Sequence, residues 1–199
     1  MIHTIGDSHA KLPWESIPNV KVHHLGPVLA YSVGRDGLDR VNISNIKLKP
    51  NDYIVFSFGE IDCRSHIHKH IYNTSYKKQI DYIIENYFNT IDLNKKLLNF
   101  NVNICINNIP PVFPHVRNGS IIKHPNSKYP YLGTDEERKT YVEYFNEILK
   151  KYCLLKNYIF IDIYEQYQDE TGFLNSKLSD GSVHIKNPKY IKKFIEMRL

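Results

Sequence analysis

Cysteine is scarce in this chain: Cys63, Cys105 and Cys153 are odd in number and far apart. They form neither a disulfide framework nor a paired metal-binding knuckle, and this usage fits a reducing compartment. Long apolar runs are missing too. No stretch approaches the ~20 consecutive apolar residues that cross a bilayer, so no membrane partner is expected. Clustered arginine is absent as well. The formal net charge of +5 comes largely from lysines spread along the chain, and the densest basic stretch, Lys186 to Lys193, reads as one solvated face of a terminal helix. A modest basic excess of this kind is weak evidence for a nucleic-acid partner, and none is expected. The N-terminus has no basic region followed by an apolar one, and its first apolar run already carries a motif of interest, so a cytoplasmic protein is expected. Repeats, low-complexity tracts and linkers are also lacking. At 199 residues the chain is long enough for one well-buried core and short for two, which predicts a single domain over 1–199.

Five short apolar segments are present: Ile2 to Ile5, Val20 to His24, Tyr53 to Phe58, Val102 to Ile106 and Tyr158 to Ile163. The last three are near-continuous rather than alternating, the pattern of strands buried on both faces of a parallel sheet. Helical patterns lie between them. Ile80, Ile83, Ile84, Tyr87, Ile91 and Leu98 mark one face of a helix over Tyr76 to Leu98. Thr134 with Glu137 forms a capping box ahead of a helix through Tyr152, and Pro188 is placed to open a last helix to about Met197. Strands alternating with helices predict an α/β fold, a three-layer α/β/α sandwich with right-handed crossovers. The stretch Pro110 to Gly133, with five prolines, is the one long loop and a candidate lid.

The first strand breaks into Gly6-Asp7-Ser8-His9. A hydroxyl just past a strand's C-terminal end sits where open α/β sheets bind ligands. Ser8 is a candidate nucleophile, although Asp and Ser after a strand are equally ordinary helix caps. A serine needs an adjacent base, and Asp180-Gly181-Ser182-Val183-His184 places a carboxylate four residues before an imidazole in a late loop. Two more segments follow strands. Ser32-Val33-Gly34-Arg35 could present the Gly34 N–H to an oxyanion. Phe58-Gly59-Glu60-Ile61-Asp62-Cys63-Arg64 gathers charge, with Arg64 able to bind a carboxylate, a phosphate or a sugar-linked acyl group and Glu60 or Asp62 able to hold it. A structural ion-pair network is the alternative reading of that block.

Taken in order, Gly6-Asp7-Ser8, Gly34, Gly59-Glu60-Ile61-Asp62 and Asp180 with His184 make the chain resemble the SGNH hydrolases, the GDSL esterase and lipase family. The resemblance runs from the N-terminus almost to the C-terminus. It implies a five-stranded parallel sheet in the flavodoxin-like order 2-1-3-4-5. It also implies acyl transfer without metal or other cofactor, on a small-molecule or glycan ester. Ser8 would attack the ester carbonyl, His184 would move the proton, Asp180 would orient the imidazole, and the Ser8 and Gly34 N–H groups would hold the oxyanion. Two positions depart from the family pattern. Ile61 stands where the family has an oxyanion Asn, so Arg64, or else Asn108 at the end of the fourth strand, is expected to supply that hydrogen bond. Three residues, not two, separate Asp180 from His184.

Other chemistry is weaker. Of His66, His68 and His70, the first and last share a helical face at a spacing zinc sites use, but no third ligand is evident. Cys63 beside Arg64 could be a thiolate, yet nothing pairs it with a base. The leading expectation is a serine esterase removing a small acyl group, such as O-acetyl, from a carbohydrate. Transfer of the acyl group to a sugar hydroxyl, and a non-catalytic glycan-binding or scaffold module with a vestigial triad, are the alternatives.

Overall fold

The computed structural model describes residues 1–117, 120–121 and 128–199. Five parallel strands form its centre: β1 (Ile2–Gly6), β2 (Val20–His24), β3 (Tyr53–Ser57), β4 (Asn103–Asn107) and β5 (Ile159–Ile161), in the order β2-β1-β3-β4-β5. Side chains on one strand alternate between faces. Ile54 and Phe56 of β3, and Ile104 and Ile106 of β4, therefore enter one core cluster, while Val55 and Cys105 enter the other. Burial on both sides is what makes these strands continuous apolar runs in sequence.

Three helices cover the first face: α1 (Ala30–Asp36), α3 (Tyr76–Lys96) and α4 (Asp135–Lys156). A short α2 (Ile67–His70) precedes α3. The second face carries α5 (Lys189–Arg198) and irregular segments that bury Trp14 and Tyr167. The result is the expected α/β/α sandwich. Local caps explain the long helices. Ser75 accepts from Lys78 N–H at the start of α3. At α4 the capping box is complete, Thr134 Oγ1 accepting from Glu137 N–H at 3.1 Å and Glu137 Oε2 from Thr134 N–H at 2.7 Å.

Helix α1 was not expected, and the residue before it, Leu29, offers no capping side chain. Asp62 supplies the cap instead, accepting the N–H groups of Ala30 at 2.7 Å and Tyr31 at 3.1 Å. Gly34 lies inside this helix. A Cβ there would stand 2.7 Å from Asn86 Cβ and 2.9 Å from the Asn86 carbonyl carbon, so the missing side chain lets α1 press against α3.

Register fixes the functional edge of the sheet. Gly6 pairs with His24 on one side and Ser57 on the other, so the loops after β1, β2 and β3 leave together. Of the expected lid over 110–133, residues 118–119 and 122–127 lie outside the described residues. Its described part includes an antiparallel ribbon, Val116–Arg117 with Ser120–Ile121, and a return segment from Lys128.

Candidate active site

Ser8 opens a single 3-10 turn, Ser8–Ala10, directly after β1. Asp7 caps that turn, its Oδ1 accepting the His9 N–H at 2.8 Å. Gly6 must be glycine because a Cβ would fall 2.0 Å from the Ser57 carbonyl oxygen. This close approach to β3 tightens the turn that presents Ser8.

The late loop brings His184 to it across 176 residues. His184 Nε2 lies 2.9 Å from Ser8 Oγ, and His184 Nδ1 lies 2.8 Å from Asp180 Oδ2. A carboxylate only accepts, so Nδ1 carries the ring proton and Nε2 is left to accept from the Ser8 hydroxyl. The three intervening residues are absorbed by a turn: Ser182 N–H donates to Asp180 Oδ1 at 2.9 Å, and Asp180 N–H donates to the His184 carbonyl at 3.1 Å. Gly181, with φ +86°, makes that turn possible. Burial, and next the charge of His9, hold His184 below the usual imidazole range against the pull of Asp180. Burial works to raise Asp180, but the hydrogen bond from His184 keeps it below the usual carboxylate range.

The block after β3 divides its work. A π-turn spans Asp62–His66, a widened geometry often found at functional sites. Glu60 and Arg64 form a buried two-pronged ion pair, Nε to Oε1 at 2.7 Å and Nη2 to Oε2 at 3.1 Å. Burial opposes the Glu60 charge, and Arg64 more than offsets it, leaving Glu60 below its ordinary range. Arg64 Nη1 donates to the Tyr129 carbonyl, and the Arg64 carbonyl accepts from Leu132 N–H at 3.0 Å. Arg64 thus ties the return segment of the long loop to β3 and does not meet Ser8. Asp62 pairs with the α1 backbone, not with Arg64. Burial pushes Asp62 up to about 7 although two N–H groups favour its charge.

The other expected oxyanion positions have local contacts of their own. Gly34 is packed in α1, and Ile61 is buried beside the π-turn. Asn108 is buried with its side-chain amide on the Ile109 carbonyl at 3.2 Å. Among the described residues, Ser8 N–H has no protein acceptor. It is a donor available to an oxyanion.

Cys63 does not behave as a thiolate: burial pushes its thiol well up, and Asp62 and Glu60 add to the effect. His66 packs on Tyr31 at 4.5 Å and against His70 at 4.6 Å between centroids, and burial holds His66 down at about 4. Among the described residues, no group of three His, Cys, Asp or Glu side chains is arranged to hold a metal, and no helix is long and apolar enough to cross a membrane.

Sequence reasoning passed over His9. It is buried, with Nδ1 3.2 Å from Asp7 Oδ1 and Nε2 3.2 Å from the Val183 carbonyl. Burial opposes its charge, but Asp7 outweighs that and raises His9 to about 9. Nothing in the sequence marks it except its place beside Ser8.

No protein-family model and no curated protein matches the chain. Solved structures do match. A GDSL-like lipase from Bacteroides thetaiotaomicron superposes with a TM-score of 0.64 at 13% identity, over 100% of this chain and 88% of that one. A member of the lipolytic G-D-S-L family from Veillonella parvula gives 0.56 at 16% identity, over 100% and 98%. The OSK domain of Drosophila Oskar gives 0.60 at 13% identity, over 98% and 86%. The chain has the SGNH, or GDSL-like, hydrolase fold.

Proposed function

We propose that the chain is a serine ester hydrolase of the SGNH type, removing a small acyl group, such as O-acetyl, from a carbohydrate. One observation carries the reading: the hydrogen-bonded series Ser8, His184, Asp180 at 2.9 and 2.8 Å, held at the strand edge where such sheets bind ligands. The fold alone does not decide activity.

In this reading His184 Nε2 takes the Ser8 proton as Oγ attacks the ester carbonyl. Asp180 keeps the imidazole in the required tautomer and stabilises the imidazolium. The Ser8 N–H faces the oxyanion, a contact worth about 3 kcal/mol in comparable sites. The imidazolium then protonates the leaving alcohol, and water, activated by the same ring, releases the acid.

A serine-directed fluorophosphonate is the direct test. The wild type is expected to label once, at Ser8, with labelling absent in Ser8→Ala and at least 10²-fold slower in His184→Ala. Equal labelling of wild type and Ser8→Ala would overturn the assignment. Release of acetate from acetylated sugars, with and without free sugar acceptors, then separates hydrolysis from transfer and carbohydrate esters from simple ones.

A further inference from the structure

His9 supplies a second imidazole that the mechanism above leaves unused. Its two ring nitrogens face the Asp7 carboxylate and the Val183 carbonyl, each at 3.2 Å. Both partners are acceptors only, so both nitrogens must carry hydrogen and the ring is an imidazolium. The residue is 4% exposed, and the Asp7 countercharge offsets the cost of burying the cation. Its ring centroid stands 5.1 Å from that of His184, tilted by 41°. Val183 directly precedes His184, and His9 directly follows Ser8. One side chain therefore bridges the turn that presents the hydroxyl and the loop that presents its base.

We propose, resting on the ester-hydrolase reading, that His9 is a positioning residue: its hydrogen bond to Val183 sets the approach of His184 to Ser8, and its positive charge beside the His184 ring disfavours a second proton there.

The surrounding charges define what the cation must overcome. Asp7 and Glu60 act on His9, and both raise it. Asp180 and Glu60 act on His184 and raise it, whereas burial and His9 lower it, with the balance downward. Glu60 is itself paired with Arg64, and Asp62 senses Asp7.

The test joins histidine ¹⁵N NMR of the full chain with the pH dependence of fluorophosphonate labelling. In the wild type, His9 is expected to hold both ring hydrogens at pH 7 and His184 to titrate below the usual imidazole range. His9→Gln keeps a donor toward Val183 and removes the charge. There the His184 titration is expected to move up by about one pH unit, the size of a unit charge ~5 Å away under strong screening. The acid limb of Ser8 labelling should move with it, with a smaller change on the high-pH plateau. A singly protonated His9 at pH 7 in the wild type overturns the proposal. So does an unmoved His184 titration in folded His9→Gln, including the case where labelling falls equally at every pH. If His9→Gln fails to fold, the wild-type ring spectrum decides. If the wild type never labels, the hydrolase reading fails, while the NMR titrations still decide the role of His9.

Discussion

The Asp62 carboxylate caps a helix to which it does not belong, accepting the Ala30 N–H at 2.7 Å from 32 positions away. Asp62→Ala leaves two donors at the start of α1 without their acceptor and should cost about 1–3 kcal/mol in urea unfolding at neutral pH. The pH dependence has a definite sign. The folded-state pKa of Asp62, about 7, lies above its ordinary value of 3.8, so the unfolded chain releases the proton first. Stability from this group therefore falls as pH rises from about 4 to about 7. Asp62→Asn should flatten that slope; an unchanged slope would show that another group sets it.

Asp180 is the exposed member of the series, its side chain 34% accessible. Asp180→Asn should slow Ser8 labelling by about 10²- to 10⁴-fold while leaving the melting temperature nearly unchanged. A loss confined to melting temperature would make Asp180 a loop fastener only.

Gly34→Ala separates packing from catalysis, because alanine keeps the backbone N–H. Its Cβ would collide with Asn86 at 2.7 Å, and parting α1 from α3 should cost about 1–3 kcal/mol. Below its melting temperature the variant should label Ser8 at close to the wild-type rate. A large labelling defect in a stable variant would restore an oxyanion role to Gly34.

Arg64 and Glu60 should fail asymmetrically. Arg64→Met strands the Glu60 charge in a buried setting and should cost about 3–5 kcal/mol, whereas the double change Arg64→Met with Glu60→Met should recover much of it. Both variants lose the tie to Tyr129, so limited proteolysis should cut near residues 129–132 faster than in the wild type. Equal protection would mean that other contacts hold the segment.

Those contrasts show what the sequence could carry. The strands were legible because burial on both faces leaves continuous apolar runs. The capping box at Thr134 was legible because its donor and acceptor are three residues apart. Asp180 and His184 were found by local spacing. Helix α1 was hidden because its cap comes from Asp62, so the packing of Gly34 within it was hidden too. The pairing of Glu60 with Arg64 is a local, one-turn relationship and was anticipated; the attachment of Arg64 to Tyr129, 65 positions away, was not. His9 stayed invisible because its meaning depends on the carbonyl of Val183, 174 positions later.

On the ester-hydrolase reading, the separation of 176 residues between Ser8 and His184 also sets when Ser8 becomes reactive. During synthesis the serine leaves the ribosome 176 residues ahead of the imidazole. Every nascent chain short of His184 carries an unactivated alcohol. Reactivity toward a serine probe would thus report completed folding, with nascent chains silent until their last loop has docked.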